Sequence, residues 1–138
     1  MSDSLLEKYG LSRRNVTDGD LKSTEEEFDD LGSIGFLRGT RDRALMLEFR
    51  FSDGSRTSLG YSWLERVDFD PSKGITLRFG RTIVKITGQN LNREIRPNLR
   101  LCDGIIRHRI LWIIEADRAT IFETGPGDLM IESVKIQE

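Results

Sequence analysis

The chain has 138 residues, of which 32% are charged, and its formal net charge at neutral pH is −2. This length fits one domain with a sizeable hydrophobic core, and no apolar run approaches the roughly 20 residues of a membrane-spanning helix. The N-terminus has no basic region followed by an apolar run, so we expect no secretory signal. The single cysteine, Cys102, cannot form an intrachain disulfide, which fits a reducing cytoplasm.

The charges are distributed unevenly along the chain. Residues 1–32 contain nine acidic and four basic residues, whereas residues 33–138 contain fourteen acidic and seventeen basic residues. We therefore predict an acidic N-terminal arm, residues 1–32, and a single globular β-rich domain, residues 33–138. The arm is expected to be partly disordered or to form short helices, at residues 2–9 and from Ser23 to about Gly32. It is either a solvated tail or a segment that folds back over a basic face.

Residues 45–86 alternate apolar and polar side chains with a period of two, which is typical of half-buried β-strands. Turn residues interrupt the alternation at Asp53-Gly54, Asp70-Pro71 and Gly80-Arg81. The aromatic residues of this region, Trp63 among them, are expected in the core. The full set of predicted core residues is Leu45, Leu47, Phe49, Leu59, Val67, Phe69, Ile75, Leu77, Val84, Ile86, Ile106 and Ile113.

The pattern changes after Gly88. Pro97 suits the first turn of a helix, and apolar residues then recur at helical spacing, so we predict one helix at about 97–107. Residues 110–114 are apolar throughout, which favours a strand buried on both faces, although a helix over 98–116 also fits the spacing. Further along we expect a strand at 120–123, a turn at 125–128 and a closing strand at 129–136.

These elements predict an α+β fold that is mostly antiparallel β. The strands, about six to eight in number, are expected to form a curved sheet or a small barrel, with the helix at 97–107 packed beside it. The alternation of one apolar and one polar face on each strand is the basis for this fold class.

Recognisable catalytic motifs are absent from the sequence. One histidine, His108, and one cysteine, Cys102, are too few for a typical zinc site within one chain, and we expect no metal and no cofactor. The sequence has no phosphate-binding glycine loop and no nucleophile elbow, so we assign no catalytic residue. Two pairs of acids, Asp68 with Asp70 and Glu115 with Asp117, lie at predicted strand ends. Each pair either binds a cation or acts as general acid and base, or is polar only because a strand end reaches solvent.

The largest local excess of positive charge lies between residues 93 and 109. Its members are Arg93, Arg96, Arg100, Arg107 and Arg109. On the predicted helix, Arg96, Arg100 and Arg107 are spaced by four and seven residues and share one outward face. That face is either solvated or binds an anionic partner through phosphate groups.

The sequence alone does not determine the function, and three interpretations stay open. The favoured one is a non-catalytic domain that binds another macromolecule, most simply a protein. The alternatives are binding of a polyanion or nucleic acid through the arginine face, and a small carboxylate-dependent enzyme. No membrane partner is expected, and a homo-oligomer is compatible with the sequence.

Overall fold

Nine β-strands and two short helices make up the described part of the chain, which is residues 28–39, 42–95 and 97–138 of a computed structural model. The helices are α1 (Leu101–Ile106) and α2 (Arg118–Glu123), and a 3₁₀ turn spans Tyr61–Trp63. The strands are β1 (Phe28–Asp30), β2 (Ile34–Leu37), β3 (Met46–Arg50), β4 (Arg56–Gly60), β5 (Leu64–Asp70), β6 (Gly74–Phe79), β7 (Thr82–Gln89), β8 (Ile110–Ile114) and β9 (Met130–Gln137). The helix predicted at 2–9 lies outside the described residues.

The strands form two sheets. The first has the order β1-β2-β8-β3-β4, and its β3–β8 pair is parallel. The second has the order β5-β6-β7-β9 and is antiparallel throughout. The prediction of a mostly antiparallel, β-rich fold is therefore confirmed. The sheets do not close into a barrel, and the nine described strands exceed the predicted number.

Both sheets and α1 share one hydrophobic core. The ring of Phe49 in the first sheet meets the ring of Phe79 in the second edge-on, with 6.5 Å between centroids. The buried hydroxyl of Tyr61 donates a hydrogen bond of 2.7 Å to the carbonyl of Ile110 and so joins the 3₁₀ turn to β8. The fully buried side chains include Ile34, Leu47, Ile75, Leu77, Val84, Ile86, Leu101, Ile105, Ile113 and Ile131.

Most of the predicted core residues are buried or half-buried, but Leu45 and Ile106 are exposed, so the prediction is wrong for these two. Leu45 precedes β3, at a bend where its carbonyl accepts a hydrogen bond from the Tyr61 backbone, so the period of two does not extend to it. Ile106 ends α1, a helix of about one and a half turns whose inner side already holds Leu101 and Ile105.

The helix α1 is shorter than the predicted helix at 97–107. Asn98 has a left-handed backbone with φ of +66°, and the Ile95 N–H donates to the carbonyl of Leu99 at 2.8 Å. The chain therefore turns sharply after Pro97, and the helix begins only at Leu101.

The C-terminal segments agree with the predictions at three of four places, because the turn at 125–128 is present as well, with the Asp128 N–H donating to the Gly125 carbonyl at 3.2 Å. Residues 110–114 form the strand β8, and the closing strand is present as β9. The predicted strand at 120–123 is wrong, because these residues belong to α2. Asp117 caps this helix by accepting a hydrogen bond from the Thr120 N–H at 2.8 Å, which favours helix over strand.

The N-terminal edge of the first sheet is also different from the prediction. Phe28–Asp30 form β1, antiparallel to β2, rather than the end of a helix. Gly32 has φ of +85° in the turn that follows, and the Leu31 N–H donates to the Ile34 carbonyl at 2.9 Å, so the chain reverses here. The predicted boundary between arm and domain at residue 32 stays a prediction.

Trp112 anchors β1 to the outer face of the first sheet. Its ring lies over Gly35, where a Cβ atom would approach the ring to 2.5 Å. The Phe28 ring meets Trp112 edge-on at 5.5 Å, and the Arg50 guanidinium lies 4.7 Å from the ring centroid. These contacts require a glycine at position 35.

Alanine substitutions at Leu45 and Leu47 test the different burial of these two side chains. We expect Leu47→Ala to lower the free energy of unfolding by roughly 2–5 kcal/mol, because Leu47 is fully buried. Leu45→Ala should change it by less than about 0.5 kcal/mol, because 85% of Leu45 is exposed. Urea denaturation measures both values, and equal losses in the two variants would contradict this register.

Candidate functional site

The carboxylate of Glu115 is held by three hydrogen bonds. Its Oε1 accepts from the backbone N–H and the hydroxyl of Ser52, at 2.9 and 3.0 Å, and its Oε2 accepts from the Val134 N–H at 2.9 Å. Burial raises the pKa of this carboxyl, but the hydrogen bonds from Ser52 and Val134 outweigh it, so the pKa lies below its ordinary value. The group is thus bound to the loop after β3 and to β9.

The other three predicted acids also have local partners. Asp117 caps α2, and Asp68 accepts from Nε of Arg66 at 2.8 Å. Asp70 accepts from the N–H and the hydroxyl of Ser72, both at 2.8 Å. Each carboxylate therefore stabilises its own turn, cap or strand.

Cys102 and His108 do not form a nucleophile–base pair. Burial, followed by the nearby charge of Asp103, raises the pKa of the Cys102 thiol to about 11. The His108 ring instead stacks on Tyr61 at 4.5 Å, and burial and then Arg43 lower its pKa. Within residues 28–39, 42–95 and 97–138, no three histidine, cysteine or acidic side chains are grouped to hold a metal ion.

The fold separates most of the predicted arginines, but Arg107 and Arg109 line one depression of about 250 Å³ next to α1. Arg100 precedes α1 and its Nη1 donates to the Asn92 carbonyl at 2.7 Å, while Arg109 donates to the carbonyls of Leu37 and Arg38 at 2.6–3.0 Å. Both guanidiniums therefore hold neighbouring loops in place.

The remaining members of that set have different environments. Arg107 is exposed beyond the end of α1, and Arg93 lines a cavity of about 520 Å³ beside α2. Arg96 lies outside the described residues. Because α1 begins after Arg100, the shared helical face is not formed, and anion binding by these arginines stays a prediction.

A different group of apolar residues is exposed where the start of β3, the 3₁₀ turn and the end of α1 meet. Leu45, Met46, Trp63 and Ile106 are all exposed, and we call these four residues the Trp63 surface. The Tyr61 N–H donates to the Leu45 carbonyl at 3.0 Å, and the Ala44 N–H donates to the His108 carbonyl at 2.7 Å. These bonds bring the start of β3, the 3₁₀ turn and the end of α1 together.

The Trp63 ring lies next to two glycines, Gly60 and Gly80. The Gly80 N–H donates to the Trp63 carbonyl at 2.9 Å, so the hairpin between β6 and β7 lies next to the tryptophan. A Cβ atom at Gly60 or Gly80 would be 3.4–3.5 Å from the Trp63 ring, so the ring lies close to both glycines. The indole ring therefore packs close to these two glycines, while 66% of the residue is exposed to solvent.

Several arginines lie on the segments that carry these apolar residues or directly next to them, and we call them the arginine rim. Nη1 of Arg43 donates to the Arg107 carbonyl at 2.9 Å, beside Ile106. Arg81 follows Gly80, and Arg66 lies directly opposite Arg78 in the β5–β6 ladder. The nearby acids are Asp42, Glu65 and Asp68, and Asp68 is already paired with Arg66. The basic residues of this rim are Arg43, Arg66, Arg78, Arg81 and Arg107.

Sequence periodicity missed this surface for a definite reason. Tyr61 and Trp63 are two residues apart and fall on one face of any continuous strand. The 3₁₀ turn interrupts the strand at exactly these residues, so Tyr61 is buried and Trp63 is exposed. Gly60, which immediately precedes the turn, is the signal in the sequence that the strand ends there.

Comparison with known protein families, with curated proteins and with solved structures finds no match for this chain. Among the described residues, neither helix has the length and apolar character needed to cross a membrane.

The Glu115 site predicts a pH-dependent contribution to stability. A depressed native pKa stabilises the folded state above the ordinary glutamate pKa, and this stabilisation is lost as the pH falls through the native value. We expect Glu115→Gln to lower the free energy of unfolding by about 1–2 kcal/mol at neutral pH, since the partly exposed carboxylate loses charged hydrogen bonds.

The difference between Glu115→Gln and the native protein should shrink in acid, as urea denaturation at neutral pH and near pH 3 will measure. Glu132→Gln, on the exposed side of β9, is the matched control and should match the native protein at both pH values. A Glu115→Gln deficit that is unchanged in acid would contradict the assignment.

Proposed function

We propose that this chain is a non-catalytic domain that binds another protein through the Trp63 surface. The observation that supports this most is a tryptophan left 66% exposed among three further exposed apolar side chains. Single exposed apolar residues are common on soluble proteins, but adjoining ones mark interaction sites. Tryptophan and arginine are also the residues most enriched at the energetic centres of protein interfaces.

The arginine rim defines the chemistry of the partner. Five arginines lie on or next to the segments that carry the apolar residues, whereas Asp42 and Glu65 are acids there that form no ion pair with any residue that the structure describes. Guanidinium groups bind carboxylates through paired hydrogen bonds. The partner that fits this surface is therefore an acidic protein segment with an apolar side chain that covers Trp63.

The backbone beneath the Trp63 surface is fixed before any partner binds. Met46 lies in a ladder opposite Gly60, and the carbonyl of Trp63 is bonded to the β6–β7 hairpin. Because these segments are already ordered, binding has little backbone entropy to overcome. This arrangement favours a binding role, as does the use of all four predicted acids in local structural bonds.

A second candidate function is binding of single-stranded nucleic acid. An exposed indole ring is a surface on which bases stack, and the arginine rim is suited to phosphates as well as carboxylates. The protein interpretation has priority because Leu45, Met46 and Ile106 add aliphatic surface that bases do not need. In either case we place the domain in the cytoplasm, since its one cysteine is a buried thiol.

Selection from a displayed library of random short peptides tests the proposal. We expect the enriched peptides to combine acidic residues with a large apolar residue and to bind more weakly as salt rises. Trp63→Ala should weaken their binding about thirtyfold, because a central interface residue contributes about 2 kcal/mol. Phe122→Ala is the matched control: Phe122 is 93% exposed on α2, and its removal should leave the affinity unchanged.

Each other outcome has a defined meaning. Peptides that bind equally to Trp63→Ala would overturn the proposal. Tryptophan-dependent binding of a short single-stranded oligonucleotide, with no peptide enriched, would favour the second candidate. If sedimentation shows a dimer that Trp63→Ala converts to monomer, the surface binds a second copy of this chain instead. Thermal unfolding of each variant confirms that it is folded.

A further inference from the structure

The outer face of the second sheet contains a shallow depression of about 330 Å³. Strand register places its residues in two cross-strand rows. Thr76 lies opposite Lys85, which lies opposite Lys135, and in the next row Thr87 lies opposite Ser133. Lys73, in the turn before β6, completes the lining.

The distribution of lysines singles out this depression. Lys73, Lys85 and Lys135 are the three lysines within residues 28–39, 42–95 and 97–138, and all three line it. Every other basic side chain in that part of the chain, His108 aside, is an arginine. A lysine ammonium is a compact point charge with three donors, which suits a phosphate group approached from several directions.

Lys85 and Lys135 lie where their positive charges lower the stability of the sheet. Lys85 and Lys135 occupy directly opposite positions of the β7–β9 ladder, where like charges destabilise a sheet. Neither takes part in an ion pair with any residue that the structure describes. A bound anion between the two ammonium groups would remove this repulsion.

The hydroxyl groups add hydrogen-bond donors to the same depression. The Thr87 and Ser133 hydroxyl oxygens are 2.7 Å apart, so one donates to the other. The accepting hydroxyl keeps its own proton for a further acceptor, and Thr76 supplies another hydroxyl. No carboxylate is among the six lining residues, so the depression consists of cations and hydroxyls.

We propose that this depression binds the phosphoryl group of a small phosphorylated molecule. The volume of the depression fits a small ligand, and two acidic residues flank the depression on the side of β5. Asp68 lies opposite Thr76, and Asp70 lies opposite Gly74 at the start of β6. Asp68 is paired with Arg66, and Asp70 is bonded to Ser72 and attracted by the charge of Lys73, while Lys85 and Lys135 form no ion pair with either acid. These carboxylates repel a long polyanion that extends across the strands.

The site is independent of the Trp63 surface. Gly74 and Lys73 are at one end of β6, whereas Gly80, which contacts Trp63, follows the other end. The two surfaces therefore occupy opposite ends of the same strands. Trp63→Ala should leave phosphate binding intact, so the failure of one proposal does not imply failure of the other.

Calorimetric titration with inorganic pyrophosphate tests the site. We expect one equivalent to bind at low ionic strength and the affinity to fall as salt is added. Lys85→Gln and Lys135→Gln should each weaken binding roughly tenfold, because each removes a charged hydrogen-bond donor. Both variants should unfold at the same temperature as the native protein or higher, since the like-charge pair is relieved.

Arg56→Gln and Arg118→Gln are the matched controls, because they remove the same charge from exposed positions elsewhere. They should keep the pyrophosphate affinity within about twofold, since exposed charges beyond a Debye length are screened. Equal weakening in the lysine and arginine variants would mean general charge attraction and would overturn the proposal. Absence of pyrophosphate binding would also overturn it, as would lysine-dependent binding of an oligonucleotide alone.

Discussion

The two sheets are joined where the chain leaves β8, and the carboxylate of Glu115 is the central group of that junction. Its three donors come from the loop after β3 and from β9, which belong to different sheets. Backbone bonds reinforce the junction, since the Glu115 N–H donates to Arg50 and the Ala116 N–H to Ile131, both at 2.8 Å. These bonds also cover part of the free edge of β9, where exposed backbone groups would invite pairing with another chain.

The two proposed binding surfaces differ in their chemistry. The second sheet presents one polar face to solvent, and the two ends of its strands differ in chemistry. At the Trp63 end the cations are arginines beside apolar side chains, whereas at the other end they are lysines beside hydroxyls. Planar guanidiniums suit carboxylates on a protein surface, and compact ammonium groups suit a single phosphoryl group. The two proposed surfaces therefore differ in the kind of anionic group that each would bind.

The sequence predicted the fold best where the chain is regular. The period of two identified the strands from β3 to β7 because each has one buried and one exposed face. It failed at Leu45 and Trp63, where a bend and a 3₁₀ turn change the direction of the side chain. The helical spacing failed at Ile106, which ends α1. The sequence also could not predict that Lys85 lies opposite Lys135, because tertiary packing rather than the local sequence pattern sets the register between β7 and β9.

The strand order of the first sheet has a consequence for how the protein is made. β8 lies between β2 and β3, yet it follows both of them by many residues in the chain. During synthesis, β2 and β3 therefore leave the ribosome with an unpaired edge each, which stays open until residues 110–114 arrive. The β5–β6–β7 meander is complete much earlier and needs only neighbouring segments. Local hairpins form faster than distant pairings, so we expect the β3–β4 hairpin and the β5–β6–β7 meander to form before β8 joins β2 to β3 and β9 completes the second sheet.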